Sequence, residues 1–163
     1  MTDAQETFPE IISNPAGMAQ RGPGWKPFPK PVSLDIAKGG IVVIAEDADD
    51  ARELLALSLT IQGYTVYTAS TGAEALALVK AHRPKALIAD ILMPDMNGFE
   101  LATQIRATYF DSVRLIALTG MAPREAWCRA VECGFDYYLM KPISADALIF
   151  FIDGPLTAHA SDV

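Results

Sequence analysis

The sequence predicts an α/β fold, a doubly wound five-stranded parallel sheet with five helices on its two faces. From Gly39 onward, short apolar runs alternate five times with segments of helical periodicity. Such βα units favour a parallel sheet that helices cover on both sides. Three of the runs end directly before acidic or hydroxyl side chains, which is where open α/β sheets carry their chemistry.

The first two units show the pattern most clearly. An apolar run at 41–45 predicts the first strand, and Gly63 ends the helix that follows. The helical spacing predicts a buried stripe made of Ala51, Leu54, Leu55 and Leu59. Residues 64–69 are rich in β-formers, and Thr71 with Glu74 forms a capping-box pattern at the start of the second helix. Its predicted buried stripe is Gly72, Ala75, Leu76 and Val79.

The third and fourth units follow the same alternation. Residues 86–89 form a continuous apolar run, which is typical of a strand buried on both faces. After a turn at Gly98, the third helix is expected to bury Leu101, Ala102 and Ile105. Residues 113–118 predict the fourth strand. Pro123 stands in the first turn of the fourth helix, a favoured position for proline.

The fifth unit has more apolar side chains than one stripe needs. Residues 135–140 predict its strand, Ser144 can cap its helix, and Gly154-Pro155 stops it. The helical spacing predicts a buried stripe of Ala147, Leu148 and Phe151, and it leaves over Ile149, Phe150 and Ile152. This surplus favours a homodimer through the fourth and fifth helices. Cover by the N-terminal arm or by the C-terminal tail, residues 156–163, is the alternative.

Residues 1–38 differ in composition from the domain predicted at 39–155. They hold six of the eleven prolines, and Gly22–Pro31 can be neither a helix interior nor a central strand. The composition predicts extended, polyproline-like chain. An interdomain linker is favoured only slightly over an arm that docks its aromatic side chains on the domain or on a partner.

Charge and composition exclude several classes of function. Residues 1–38 carry no net charge, so the formal charge of −7 belongs to the rest of the chain. An acidic surface repels a phosphate backbone, and nucleic-acid binding is therefore not expected. No apolar stretch approaches the roughly 20 residues of a membrane span, and the N-terminus lacks the pattern of a signal peptide. We expect a cytoplasmic protein in which Cys128 and Cys133 are reduced.

The ends of the predicted strands bring several polar side chains toward one point. In a parallel sheet the carboxyl ends meet at the same edge, and here they deliver Glu46, Asp47, Asp90, Thr119 and Lys141. Clustered carboxylates repel one another, so a cation is expected among them. Hard oxygen ligands without nearby His or Cys favour Mg²⁺.

In this order along the chain, these residues resemble the receiver domain of two-component response regulators, over roughly residues 38–155. The D-x-x-M-P-x-x-x-G pattern of the family is matched by Asp90, Met93, Pro94 and Gly98. Glu46 and Asp47 match its acidic pair, Thr119 its switch hydroxyl and Tyr138 its switch aromatic residue. Lys141-Pro142 matches its lysine and the following proline, and family members usually have this peptide bond in the cis form. The first acidic residue departs from the pattern, because Asp is commoner there than Glu.

The resemblance implies a flavodoxin-like sheet of strand order 2-1-3-4-5. It makes Asp90 the acceptor of a phosphoryl group from a histidine kinase or a histidine phosphotransfer protein. The implied Mg²⁺ ligands are Asp47, Asp90 and the backbone carbonyl of Leu92, with Glu46 acting through water. Lys141 would supply a fixed positive charge to the phosphoryl group, and Thr119 a hydrogen bond.

The resemblance also implies a conformational output. Phosphorylation would draw the Thr119 hydroxyl toward Asp90 and make room for the ring of Tyr138. This movement would change the face formed by the fourth helix, the fifth strand and the fifth helix, where a downstream protein target would bind.

Three alternative functions share this topology or this chemistry. A phosphatase with an aspartate nucleophile would need a second Asp at the position of Leu92. A flavin-binding domain would need a phosphate loop where Glu46-Asp47 stands. The receiver end of a hybrid sensor histidine kinase would carry the same chemistry with residues 1–38 as a linker. We therefore do not expect an enzyme, beyond self-phosphorylation from small phosphodonors and a self-dephosphorylation slowed by Leu92 and Met121.

Overall fold

The fold was obtained as a computed structural model, which describes residues 11–13, 39–109, 112–120 and 124–154, the first three and Arg124 by their backbone alone. The strands in these residues are β1 (Ile11–Ser13), β2 (Ile41–Ala45), β3 (Thr65–Ala69), β4 (Ala86–Asp90), β5 (Arg114–Thr119) and β6 (Tyr137–Met140). The helices are α1 (Asp49–Ile61), α2 (Gly72–His82), α3 (Gly98–Tyr109), α4 (Arg124–Glu132) and α5 (Ala145–Asp153).

The strands form one sheet in the order β3-β2-β4-β5-β6-β1. Strands β2 to β6 are parallel, with Val43 beside Leu87 and Leu87 beside Leu115 across the centre of the sheet. Taken alone, these five strands have the order 2-1-3-4-5, so the predicted flavodoxin-like topology is confirmed.

The sixth strand, β1, was not predicted. It lies antiparallel on the outer edge of β6, with Ile12 opposite Tyr138. Three residues are too few to show an alternating pattern, and their partner is the edge of β6, which lies more than a hundred residues away in the sequence. Residues 11–13 therefore belong to the sheet, whereas a domain boundary at residue 38 stays a prediction.

Helices cover both faces of the sheet. Side chains of α2, α3 and α4 pack on one face, and those of α1 and α5 on the other. The central strand β4 is buried along its whole length. The stripes predicted for the second and third helices are confirmed, because every residue named for them is buried.

Two of the predicted helix starts are formed by side-chain caps. The Thr71 hydroxyl accepts a hydrogen bond from the backbone N–H of Glu74, and the Ser144 hydroxyl accepts one from Ala147, each at 3.2 Å. The Glu74 carboxylate accepts hydrogen bonds from the N–H and hydroxyl of Ser70, and also interacts with the backbone N–H of Thr71. These bonds lower the pKa of Glu74.

The stripe predicted for α1 was wrong for Ala51 and Leu54, which are exposed. The helix packs on the sheet through Leu59, with Leu55 and Ala56 partly buried. A stripe centred there turns other apolar side chains to solvent: Leu54, Leu57 and Ile61 are 68%, 58% and 74% exposed. Apolar spacing alone did not distinguish the two faces, because both carry leucines.

The stripe predicted for α5 was also wrong in part. Leu148 and Phe151 are buried as expected, but Ile149 and Ile152 are buried too, and Ala147 is only partly buried. The helix packs against both the sheet and α1, so it needs a wider apolar face than a helix with one neighbour. The homodimer was predicted from three apolar residues that the stripe did not need. Two of them are buried within the domain, so only the partly buried Phe150 still supports the prediction.

Several other predictions concern this fold. Cys128 and Cys133 are free, as predicted. Met121, Pro123 and the tail at 156–163 lie outside the described residues. Among the described helices, none combines the length and the apolar composition that a membrane crossing requires.

The tight contact at Gly98 gives a test of the packing between α3 and the end of β4. A Cβ atom at Gly98 would lie 2.6 Å from the carbonyl oxygen of Asp90, which is backbone and cannot move aside cheaply. We expect Gly98→Ala to lower the free energy of unfolding by about 1–3 kcal/mol, as overpacking does. Gly39→Ala is the matched control, because a Cβ there meets nothing within 4 Å. Equal urea midpoints for the two variants would contradict this reading of the packing.

Candidate functional site

Neighbouring strand ends place the predicted site residues together. Glu46 and Asp47 directly follow β2, Asp90 ends β4, Thr119 ends β5 and Lys141 directly follows β6. All four strands are parallel, so these residues share the carboxyl edge of the sheet. The ladder places Thr119 beside Met140, and the Lys141 backbone N–H donates to the Thr119 carbonyl at 2.8 Å.

Three carboxylates form one acidic cluster at this edge. One oxygen from each of Glu46, Asp47 and Asp90 lies within 4.8 Å of the others. Glu46 and Asp90 are 4% and 9% exposed, whereas Asp47 faces solvent. Two carboxylates nearly out of water, with a third at the rim, are a donor set that fits a hard divalent cation able to keep some of its waters.

The Lys141 ammonium joins the two nearly buried carboxylates. It donates to the Asp90 Oδ2 atom at 2.9 Å and to the Glu46 Oε2 atom. Burial alone would lower the pKa of Lys141, but hydrogen bonds to Glu46 and then to Asp90 outweigh burial and raise it. Lys141 is therefore held as a cation. The peptide bond from Lys141 to Pro142 is cis.

The second oxygen of Asp90 is held by the loop that follows β4. The Leu92 N–H donates to the Asp90 Oδ1 atom at 3.1 Å. The Leu92 side chain is 68% exposed, so it does not close the site over Asp90. Both oxygens of the Asp90 carboxylate thus have donors, which fixes its orientation.

Thr119 and Tyr138 form a buried polar pair beside the acidic cluster. Each is 2% exposed, and the Tyr138 hydroxyl shares a hydrogen bond with the Thr119 side chain. Burial raises the pKa of Tyr138, against the opposing effect of this hydrogen bond, and the nearby Asp90 charge adds to the rise. The Tyr138 ring is therefore inside the protein.

The sequence analysis missed Arg52. Its guanidinium donates to the Glu46 carbonyl at 2.9 Å and pairs with Asp49, although the side chain stands on the second turn of α1. Ala48 is the N-cap residue of α1, and its side chain cannot supply a capping hydrogen bond. Arg52 fastens the start of the helix to the loop that carries the acidic pair. The pattern of residue types did not indicate this contact, because its acceptor is a backbone carbonyl.

Comparison with known sequences gives one consistent family. The family model for the response regulator receiver domain matches residues 42–153. The chain is 34% identical over 108 residues to Response regulator MprA of Mycobacterium ulcerans (strain Agy99), a match that covers 66% of this chain and 46% of MprA. It is 37% identical over 122 residues to an uncharacterized 14.6 kDa protein of Leptolyngbya boryana, covering 74% of this chain and 93% of that protein. The chain thus spans about half the length of MprA.

Solved structures give the same fold. Chemotaxis protein CheY4 of Vibrio cholerae matches with a TM-score of 0.63 and 29% identity, over 67% of this chain and 92% of that one. The signal receiver domain of the putative response regulator NarL from Mycobacterium tuberculosis matches with a TM-score of 0.67 and 25% identity, over 72% and 98%. In both comparisons the likeness covers at least two thirds of this chain and more than nine tenths of the other.

Removing the Lys141 ammonium should destabilise the fold in a pH-dependent way. Lys141→Met leaves two nearly buried carboxylates facing each other, and we expect a loss of about 1–3 kcal/mol, less than for a fully buried pair because the lysine is partly exposed. The contribution is complete below the ordinary lysine pKa of 10.5 and is lost as the pH rises through the raised pKa of the folded state. Urea denaturation of wild type and Lys141→Met at pH 8 and above pH 11 measures the loss of stability and its dependence on pH.

Lys80→Met on the exposed face of α2 is the control for this comparison, since it removes a solvated ammonium. A difference between wild type and Lys141→Met that stays constant, or grows, at alkaline pH would show that the ion pair has been assigned wrongly.

Proposed function

Because this chain belongs to the response regulator receiver domain family, whose members are signalling phosphoacceptors, we propose that Asp90 accepts a phosphoryl group from a histidine kinase or a histidine phosphotransfer protein. The observation that carries the proposal is the placement of Asp90. It is the carboxylate at the centre of the site, held on one oxygen by the Leu92 N–H and on the other by Lys141, with two acidic neighbours.

The transfer itself needs a nucleophile in place and charges of the right sign. A carboxylate oxygen of Asp90 attacks the phosphorus, the new P–O bond forms as the P–N bond of phosphohistidine breaks, and the imidazole leaves with the electron pair. Lys141, already a cation against Asp90, would then face an oxygen of the incoming group. The Leu92 N–H would hold the carboxylate during attack. Positioning and charge neutralisation are what phosphoryl transfer requires.

We propose Mg²⁺ as the cofactor at the acidic cluster. Asp47 and Asp90 would bind it directly, with the Leu92 carbonyl as a third protein ligand and Glu46 acting through water. The ion supplies positive charge against the phosphoryl oxygens when bound. Asp47, which faces solvent at the rim of the cluster, is the carboxylate that Lys141 does not engage.

The output would start from the hydrogen bond that Thr119 shares with Tyr138. A phosphoryl group on Asp90 would draw the Thr119 hydroxyl toward it, and the space that the hydroxyl leaves would be filled by the ring of Tyr138. Its backbone belongs to β6, so the change would reach the face of α4, β6 and α5, where we place the downstream protein target. A homodimer through this face is a weaker proposal, because Ile149 and Ile152, which were expected to be spare, are buried within the domain.

The exposed apolar stripe on α1 is the surface that we propose for the phosphodonor protein. Leu54, Leu57 and Ile61 are largely exposed, and α1 begins two residues after Asp47. The exposed Leu92 side chain adds an apolar group near Asp90. Three apolar side chains spaced along one helix face are typical of a surface that a partner covers. A partner docked there would have its phosphohistidine close to the site.

The proposal also concerns the kind of protein that carries this domain, its location in the cell and the lifetime of its phosphorylated state. The same chemistry would serve a receiver domain of a hybrid sensor histidine kinase, since the site residues would be identical. We also propose a cytoplasmic location and a slow self-dephosphorylation. A phosphatase is disfavoured because Leu92 stands where a second acid would be needed.

Asp90→Asn should abolish phosphorylation. Incubation of wild type with acetyl phosphate and Mg²⁺ should add one acid-stable, base-labile phosphoryl group, seen by intact mass, and the amide of the variant is no nucleophile. Asp95→Asn is the matched control, because Asp95 is an exposed carboxylate in the same loop. Labelling that survives in Asp90→Asn would refute the assignment.

Asp47→Ala should remove the stabilisation by Mg²⁺. In wild type, linkage predicts about 2.7 kcal/mol at a metal concentration 100 times the Kd. Without metal the variant should be more stable than wild type, because one of three repelling carboxylates is gone. Thermal melts with and without Mg²⁺ test both, with Asp50→Ala on the exposed start of α1 as control. An unchanged metal shift in Asp47→Ala would exclude this residue as a ligand.

Leu57→Glu should slow phosphotransfer from the cognate kinase at least tenfold, since the charge would be buried under the partner. Labelling by acetyl phosphate should stay the same, because Asp90 is unaffected. Phosphotransfer profiling against the kinases of the source organism measures the first rate. Ala77→Glu, which adds the same charge on the exposed face of α2, is the control. Equal slowing in both variants would point to net charge and not to a docking surface.

A further inference from the structure

Arg52 holds the backbone on both sides of Asp47. Its guanidinium donates to the Glu46 carbonyl at 2.9 Å, and its backbone N–H donates to the Ala48 carbonyl at 2.9 Å. A second guanidinium nitrogen pairs with the exposed Asp49. The Arg52 side chain is only 15% exposed, so the guanidinium is enclosed against this loop and is not a freely solvated cation.

The contact with the Glu46 carbonyl fixes the peptide plane that leads into Asp47. That carbonyl and the Asp47 N–H belong to one peptide unit, which is rigid because its C–N bond has partial double-bond character. The other side of Glu46 is held as well, since its N–H donates to the Ala69 carbonyl at the end of β3, at 3.1 Å. Only residues 46–48 connect β2 to α1. The backbone of this short loop is therefore held at both of its ends.

The side chains of the acidic cluster are held unequally. Lys141 donates to the carboxylates of Glu46 and Asp90, and the second oxygen of Glu46 accepts from the Ala48 N–H at 3.3 Å. Asp47 is the exposed member of the three, and Lys141 does not engage it. Its place in the cluster therefore depends on the loop backbone, which Arg52 holds.

We propose that Arg52 is a positioning residue for the metal site: by holding the Glu46 carbonyl, it keeps the Asp47 carboxylate within reach of the Asp90 carboxylate. This inference rests on the proposed binding of Mg²⁺ by these two aspartates. Arg52 touches neither the metal nor the phosphoryl group and acts only through the loop. Residues that orient metal ligands contribute about 10- to 100-fold in metal affinity. Because Arg52 acts through backbone, we expect an effect near the lower end of this range.

The direction of the effect distinguishes positioning from charge. A guanidinium beside the cluster repels a metal cation, so loss of its charge alone would tighten Mg²⁺ binding. Loss of positioning would weaken binding, because the Asp47 carboxylate would no longer be held near Asp90. Weaker binding after removal of a cation is therefore the mark of a positioning role.

Titration calorimetry of Mg²⁺ into the full chain, without a phosphodonor, tests the proposal. Arg52→Met should raise the Kd about tenfold, with circular dichroism to verify that the variant is folded. Lys80→Met, which removes the same charge from the last turn of α2, is the matched control and should leave the Kd within about twofold of wild type. An unchanged or lower Kd in Arg52→Met would overturn the inference.

A conservative variant identifies the contact that is responsible. Arg52→Lys keeps a cationic donor at this position and should recover at least part of the affinity that Arg52→Met loses. A Kd in Arg52→Lys as high as in Arg52→Met would overturn the assignment to the hydrogen bond with the Glu46 carbonyl.

Labelling by acetyl phosphate separates metal binding from the chemical step. Arg52→Met should need about tenfold more Mg²⁺ for its half-maximal rate, while its rate at saturating Mg²⁺ stays close to that of wild type, because Asp90 and Lys141 are untouched. A lower maximal rate with an unchanged requirement for Mg²⁺ would overturn the inference. A wild type that binds no Mg²⁺, or binds it as tightly as Asp47→Ala does, would instead refute the proposed metal site.

Solvent exchange of the Ala48 amide, measured by NMR without metal, tests the hold on the loop directly. This N–H donates to the Glu46 carboxylate, so a loop released by Arg52→Met should exchange it at least threefold faster than wild type. Lys80→Met should leave the rate unchanged. An Ala48 amide that exchanges equally fast in Arg52→Met and wild type would show that Arg52 does not hold this loop.

Discussion

The ammonium of Lys141 is the interaction on which the site depends. Glu46 and Asp90 end up side by side and nearly out of water because β2 and β4 are neighbours in the sheet. Their repulsion is offset by one cation that a different strand, β6, delivers. Such a partly buried ion pair adds little net stability. Its contribution is instead to keep the carboxylates of Glu46 and Asp90 together at the site. Three carboxylates and one ammonium leave two negative charges, which is the charge that one Mg²⁺ neutralises.

The parts of the fold that the sequence predicted are those fixed by geometry common to all parallel sheets. Apolar runs that end in polar side chains give the strands, and parallel strands must bring those ends to one edge. The convergence of Asp90 with the acidic pair and Lys141 followed from this rule. Gly98 is a second example. It is the last residue of the matched motif, and the turn there passes so close to the backbone of Asp90 that a side chain would not fit.

The parts that the sequence did not predict depend on which neighbours an element meets. Helix α1 carries leucines on two faces, and only its packing shows that Leu59 lies inside while Leu57 faces solvent. Helix α5 meets the sheet and α1 together, so Ile149 and Ile152 are buried although a single stripe has no room for them. Arg52 reaches a backbone carbonyl, a contact that leaves no trace in the pattern of residue types.

The pairing of β1 with the edge of β6 places few demands on residue type. Backbone groups form the hydrogen bonds, and every residue except proline has the N–H that a ladder needs. Pro9 and Pro15 stand two residues before and two after the strand. A slip of two residues in either direction would bring one of these prolines into the ladder and remove a hydrogen-bond donor or strain the pairing. Proline at positions 9 and 15 would therefore disfavour both of these slips, so substitutions within Ile11–Ser13 should be tolerated better in evolution than the loss of either flanking proline.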